Sequence, residues 1–332
     1  MDLIHTFLNL VAPPITLFSL AHFLSPYNRF KSFLSLFHSI FIEDVSFKVV
    51  LITGASSGIG EHLAYEYARK GACLALVARR EKSLREVAYV AQELGSPDVL
   101  VILADVQNPN DCSRIIQETI SHFGRLDHLV NNAGIGLISL FEEATDVTNL
   151  RTIMDTNFWG SVYTSYYAVP YLRESRGKMV AVASSALPLP RMSVYNASKA
   201  AMMIFFETLR VELGSNVHVL IAIPGFVESE MSKCKVQLPD GRMDVDQDLR
   251  DVELSIVPVV TASECAKSIV RSACRGDKYL IEPQWFSSFM TWKAFAPDIV
   301  EWCYRVFYLS GPDEPAIEAP SKTLLDLSNP TT

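Results

Sequence analysis

The sequence predicts an α/β fold: a doubly wound parallel sheet with a hydrophobic membrane or lipid anchor at its N-terminus. Three observations carry this. From about residue 46, short β-branched runs alternate with amphipathic stretches of helical length. A glycine-rich turn joins the first such run to the first helical stretch. Residues 3–28 contain no Asp, Glu, Lys or Arg.

The anchor comes first in the chain. Phe7 to Leu24 is apolar apart from Asn9, Thr16, Ser19 and His22. A bilayer-spanning helix needs roughly 20 apolar residues, so the length suffices. Pro13 and Pro14 fall in the middle of the stretch, however, and Pro26 at its far end. A proline inside a helix costs about 3 kcal/mol. A second apolar arm follows from Phe30 to Ile42, broken by Lys31, His38 and a few serines. Four readings stay open. A cleaved signal peptide has small residues at Ser19-Leu20-Ala21, but the start carries Asp2 and no basic residue. A single spanning helix would use Arg29 and Lys31 to hold the following domain in the cytosol. A proline-kinked hairpin would sit in a lipid monolayer. The fourth reading is a buried helix of the globular part.

The strands follow in order: Val49–Thr53, Cys73–Ala78, Val99–Ala104, His128–Val130, Met179–Ala183, Val217–Ile223 and Tyr279–Ile281. Strands separated by helices imply a parallel sheet covered on both faces, and right-handed crossovers wind it doubly. No internal repeat or low-complexity segment interrupts the pattern. Hydrophobic residues make up 49% of the 332, enough for a large core. Net charge is −8, with no Lys/Arg-rich run, which argues against nucleic-acid binding. Cys73, Cys112, Cys234, Cys265, Cys274 and Cys303 form no C-x-x-C pair, and no histidine cluster joins them at metal spacing. They read as reduced thiols of a cytosolic domain, with no metal expected.

The first strand runs into Thr53-Gly54-Ala55-Ser56-Ser57-Gly58-Ile59-Gly60, and a helical run continues from Glu61 to Arg69. Strand, glycine turn and helix start form the Rossmann-type dinucleotide site. The glycines admit the pyrophosphate, and free N–H groups at the helix start stabilise its charge. The spacing is G-x-x-x-G-x-G. At the end of the second strand, where an NAD site carries a carboxylate, stands Val77-Ala78-Arg79-Arg80. Guanidinium groups suit the 2′-phosphate of NADP(H).

Thr53–Gly60, Asn131-Asn132-Ala133-Gly134, Tyr195-Asn196-Ala197-Ser198-Lys199 and Pro224-Gly225 stand in the order found in short-chain dehydrogenases/reductases. The resemblance covers residues 46 to 280. The proline-bearing apolar N-terminus, Leu126–Val130 and Asp155–Gly160 further resemble the steroleosins, plant oil-body proteins similar to 11-beta-hydroxysteroid dehydrogenases. The resemblance implies an NADP-dependent oxidoreductase that interconverts a secondary alcohol and a ketone on a hydroxysteroid or sterol. The address it implies is a lipid droplet or the endoplasmic reticulum membrane, and family habit implies a homodimer. Two alternatives stay open: a catalytically weak sterol- and NADP-binding droplet protein, and a reductase of retinoid or other long-chain carbonyl compounds.

The resemblance also assigns site residues. Tyr195 and Lys199 are four apart on a helical run and share a face. A free phenol titrates near 10, and a neighbouring lysine cation favours the phenolate. Tyr195 would exchange the proton with the substrate oxygen, and Lys199 would also bind the nicotinamide ribose. Ser185 would orient the substrate oxygen, with Ser184 as the alternative, and Asn157 would hold a water in a proton relay. Gly54, Ser56, Ser57, Gly58, Ile59 and Gly60 would cradle the cofactor, and Arg79 and Arg80 would meet its 2′-phosphate. Asp105 would meet the adenine, with Asn131, Ala133 and Pro224 lining the rest.

One spacing departs from the family. Ser185 lies ten positions before Tyr195, where the family usually has about thirteen; thirteen back is Val182, which has no hydroxyl. Ten residues still reach far enough when extended. A misplacement of about 1 Å can nevertheless cost on the order of a hundredfold in rate.

Beyond Pro283 the chain is aromatic. Trp285, Phe286, Phe289, Met290, Trp292, Phe295, Trp302, Tyr304, Phe307 and Tyr308 suit a pocket cover, a second lipid contact, or helix packing and a dimer interface. Cys234–Leu254 is polar and reads as a loop beside the substrate entrance. The organisation expected is an anchor over 1–45, an NADP-binding catalytic domain over 46–282, a helical extension over 283–312 and a disordered tail over 313–332.

Overall fold

A computed structural model describes residues 42–136, 138, 140–143, 147–184, 187–228, 235–237, 243–245, 251–252, 259–310 and 318–323. The apolar arms before Ile42, and Ser185, lie outside the described residues. Among the described residues no helix is long and apolar enough to cross a membrane. The chain divides into two compact units, Met1–Glu43 and Asp44–Thr332. The second holds the sheet and the candidate site.

Its first half runs β1 (Val49–Thr53), α1 (Gly58–Ala68), β2 (Cys73–Ala78), α2 (Glu81–Glu93), β3 (Val99–Leu103), α3 (Pro109–Phe123) and β4 (His128–Asn131). A helical turn α4 (Arg151–Met154) passes through a π-helical segment, Asp155–Trp159, into α5 (Gly160–Ser175). Then come β5 (Lys178–Val182), α6 (Ser193–Leu213) and β6 (His218–Pro224). A small hairpin, β7 (Lys235–Gln237) with β8 (Met243–Val245), precedes α7 (Ala262–Arg275), β9 (Tyr279–Glu282), α8 (Ser287–Phe295) and α9 (Pro297–Tyr308).

Seven strands form one sheet in the order β3-β2-β1-β4-β5-β6-β9, every pair parallel. The expected doubly wound sheet is therefore present. Alternate residues of each strand enter opposite cores. Val50, Ile52, Leu74, Leu76, Val130, Val180 and Leu220 pack under α1, α2 and α7. Val49, Leu51, Ala75, Val77, Leu129, Met179 and Ile221 pack under α3, α5 and α6. Burial on both faces explains why these strands read as unbroken apolar runs.

Helix ends are set locally. Asn108 caps α3 by accepting the Asn110 amide, Pro109 pre-sets the first turn, and Gly124 ends the helix in the left-handed region. Thr261 caps α7 by accepting the Glu264 amide at 3.2 Å, and its hydroxyl also bonds the Glu264 carboxylate.

One expectation is corrected. The polar stretch 234–254, expected to be loop, contains the β7–β8 hairpin; three-residue strands are too short to show a period. Within the described part of the tail, residues 320–323 form a helical turn. Ala319 and Ser321 are fully buried there, and the Ser321 hydroxyl donates to Val252 O at 2.9 Å.

Candidate active site

The site is built where β1 and β4 lie side by side, because the chain leaves them toward opposite edges of the sheet. Such a switch point opens a crevice at the carboxyl ends of the strands. Thr53 closes β1. Its hydroxyl donates to Val130 O at 3.2 Å and accepts the amides of Asn132 and Ala133, each at 3.1 Å. Asn132 Nδ2 returns bonds to the carbonyls of Thr53 and Gly54, at 3.0 and 3.2 Å. The glycine turn is thereby tied to the segment after β4. Thr53 and Asn132 stand in the quoted motifs but were given no role; the adjacency of β1 and β4 supplies one.

The turn fits a dinucleotide on geometric grounds. Gly54 has φ +66°, and a Cβ there would lie 2.7 Å from the Ala133 Cα. At Gly60 a Cβ would lie 2.2 Å from the Gly54 carbonyl oxygen and 2.5 Å from Asn132 Nδ2. Only a hydrogen fits at either place. Ser57, at the N-cap position of α1, makes no side-chain bond to the helix. The first N–H groups and the positive end of the helix dipole are left to a pyrophosphate. Ile59 adds backbone to the turn and packs its side chain on the core.

Arg80 bends back over this turn. Its Nη2 donates to Ser57 Oγ at 2.6 Å and to Ser56 Oγ at 3.1 Å, and its Nε to Ser56 Oγ at 3.3 Å. One guanidinium and two hydroxyls thus converge at the end of β2. Arg79 turns the other way and pairs loosely with Asp105, at 3.5 Å. Asp105 in turn accepts the Gln107 amide and donates its own amide to Asp111.

Asn131 is fully buried, with Nδ2 on Ser165 Oγ at 3.0 Å and Oδ1 accepting Thr164 Oγ1 at 2.7 Å. The strand's alternation turns this side chain into the α5 layer. Ala133 does abut the turn through its backbone. Pro224 ends β6 opposite Glu282 of β9, at the carboxyl edge of the sheet.

The chemistry-bearing pair stands on α6. Tyr195 is in its first turn and Lys199 one turn later. Lys199 Nζ donates to Val182 O at 2.9 Å and lies 5.9 Å from the Tyr195 ring centroid. A Cβ at Gly134 would lie 3.4 Å from that ammonium and 3.3 Å from Asn157 Oδ1. A continuous path of contacts therefore runs from Gly54 through Ala133 and Gly134 to Lys199. Tyr195 also hydrogen-bonds Ser184. That serine is the alternative to Ser185, which lies outside the described residues.

Asn157 is fully buried in the π-helical segment, a feature frequent at functional sites. Its Oδ1 accepts the Ile135 amide at 2.8 Å, and its Nδ2 donates to Ile135 O and Ser198 Oγ, both at 2.9 Å. Ser198 passes its own proton to Tyr195 O at 2.7 Å. Asn157 thus ties the segment after β4 to the helix of Tyr195, and both its N–H groups are committed.

Electrostatics differ from the lysine-acidified phenolate expected. Burial raises the Tyr195 phenol above its ordinary value, and only the Ser184 bond opposes this. Burial lowers the Lys199 ammonium from 10.5 to about 8. Desolvation disfavours both charged forms. In the protein alone Tyr195 is a protonated phenol at neutral pH, suited to donating a proton to a carbonyl oxygen.

Comparison with known proteins identifies the family. The profile of the family described as short chain dehydrogenase matches residues 48–238. The chain is 56% identical over 328 residues to "11-beta-hydroxysteroid dehydrogenase A" of Arachis hypogaea, covering 98% of this chain and 94% of that one. It is 55% identical over the same shares to the protein of that name from Sesamum indicum. "11-beta-hydroxysteroid dehydrogenase-like 6" of Arabidopsis thaliana is 47% identical, covering 99% and 97%. Among solved structures, an alcohol dehydrogenase from the archaeon Thermococcus sibiricus, complexed with 5-hydroxy-NADP, superposes with a TM-score of 0.59. It is 24% identical and covers 71% of this chain and 96% of that one.

Proposed function

This chain belongs to the short-chain dehydrogenase family, and from that premise we propose that it interconverts a secondary alcohol and a ketone on a hydroxysteroid or sterol, using NADP(H). The observation that carries the reading is the path from the glycine turn to Tyr195, Lys199 and Ser184. A nicotinamide cofactor bound there supplies or accepts the hydride. Tyr195 gives the substrate oxygen its proton in reduction and takes it back in oxidation. Ser184 orients the Tyr195 hydroxyl, and Lys199 holds charge beside it. Arg80, with Ser56 and Ser57, offers three donors to a 2′-phosphate, which favours NADP over NAD. The water relay assigned to Asn157 belongs to this proposal. Its committed side-chain N–H groups leave the second lone pair of Oδ1 and the main chain for the water.

The steroid substrate rests on the names of the plant relatives. The lipid-droplet or endoplasmic reticulum address, with the catalytic domain toward the cytosol, rests on the apolar, uncharged sequence before residue 29. A second reading, cofactor binding without turnover, is favoured by the shortened segment before Tyr195.

The deciding experiment is NADPH oxidation and NADP reduction by purified protein across sterols, steroids and retinoids. Turnover with a hydroxysteroid or its ketone, lost in Tyr195→Phe while NADPH binding stays within a few-fold, is the expected result. Binding without turnover on every compound would establish the second reading instead.

A further inference from the structure

Residues 187–192, shortly before Tyr195, are held from outside themselves. Leu187 and Leu189 are buried against Phe286, with Met192 and Tyr304 packed on the same cluster. Arg191 is only 6% exposed and has φ +64°, a left-handed conformation that a side-chain-bearing residue adopts at a cost. Its Nη1 donates to Tyr308 O at 2.8 Å. Tyr308 is the last residue of α9, so its carbonyl is among those that no helical N–H can reach. A guanidinium there also meets the negative end of the helix dipole. Burial of a cation and a left-handed backbone persist together only where surrounding structure over-determines them.

Arg191 stands four residues before Tyr195 and two before the start of α6. We propose that Arg191 is a positioning residue: it clamps the shortened segment to the end of α9, so that the C-terminal extension sets where Tyr195 stands relative to Ser184. The proposal rests on Tyr195 being the proton donor. The clamp takes over the placement that three further residues would provide in a longer segment.

The test uses the full chain. Arg191→Met keeps the apolar stem and removes the donors. Leu309→Pro removes the amide that bonds Arg305 O at 3.3 Å and drives Tyr308 out of the helical region, moving its carbonyl. Both variants should lose roughly ten- to a hundredfold in kcat, with the NADPH Kd within threefold. Arg191→Lys should recover part of the loss. Amides 196–199 should exchange faster with deuterium in both variants without cofactor. An unchanged kcat, with only a lower Tm, would overturn the clamp. So would unchanged exchange at 196–199. If Arg191→Met does not fold, Leu309→Pro and Arg191→Lys decide by the same readouts. Tyr195→Phe separates the two readings. Activity lost in that variant but kept in Arg191→Met sinks only the clamp; activity kept in Tyr195→Phe sinks the proton-donor reading beneath it.

Discussion

Adjacent residues of one strand end do different work. Arg80 lies over Ser56 and Ser57, whereas Arg79 is paired with Asp105 across an exposed gap that contributes little. Arg80→Ala should therefore weaken NADPH binding at least tenfold and change NADH binding less than threefold. Arg79→Ala should have the smaller effect. Titration of both cofactors by fluorescence checks this, and an unchanged NADPH/NADH ratio in Arg80→Ala would remove the 2′-phosphate contact. Lys199 carries a prediction about stability. Its pKa is depressed from 10.5 to about 8, so between those values the unfolded chain binds a proton that the native protein has released. Stability from this group rises with pH across that window and is lowest below about 8. Lys199→Met should abolish turnover yet raise Tm at pH 7, and the gain should shrink by pH 10. A variant that melts lower than the parent at pH 7 would show that the Val182 bond outweighs desolvation. Tyr195 and Lys199 were legible because their spacing is local. Ser184 was legible only as an alternative, because the choice between two adjacent serines depends on how a short, proline-bearing segment folds. The partners of the Asn131 side chain were not legible, because a four-residue strand does not reveal which face each residue takes.

The elements show the same division. All seven strands of the sheet lie within one residue of the apolar runs that foretold them; in the five inner strands burial on both faces leaves a continuous signal, and the edge strands β3 and β9 keep it although they are only half-buried. The π-helical segment around Asn157 left no pattern, since one extra residue in a turn does not disturb apolar periodicity. The bonds from Asn132 to the glycine turn were equally silent, for they join residues 78 and 79 apart in sequence. They make the turn rigid as well as tight. Gly60→Ala puts a methyl 2.2 Å from the Gly54 carbonyl and 2.5 Å from Asn132 Nδ2. The oxygen is backbone and the amide is already bonded, so neither can yield cheaply. The expected cost is about 1–3 kcal/mol of stability, as for other overpacked sites, with at least a tenfold loss of NADPH affinity. Thermal melts with and without NADPH measure both. Parent-like binding would mean that the turn is looser than its bonds imply.

At the scale of the whole molecule, the question is what would hold the protein on lipid. Residues 44–332 form a compact unit with its own two-sided core, so a chain beginning at residue 43 should fold. That unit still presents an apolar face on its last two helices: Trp292 is 57% exposed, Phe295 73% and Trp302 62%. Full burial of one such side chain is worth about 1.5–3 kcal/mol, and a few dipping into an interface give only reversible binding. The proposed anchor is of another order. Its arm from Phe7 to Leu24 alone offers eighteen residues with no formal charge, and lipid burial at about 0.8 kcal/mol per CH₂ makes such a segment effectively permanent. The full chain should therefore float with liposomes through a high-salt wash. The chain from residue 43 should remain in the soluble fraction and keep its NADPH affinity. Flotation of the shortened chain at full strength would move the anchor from the N-terminal arms to the aromatic face of α8 and α9. In that case the triple change Trp292→Ser, Phe295→Ser and Trp302→Ser should release it.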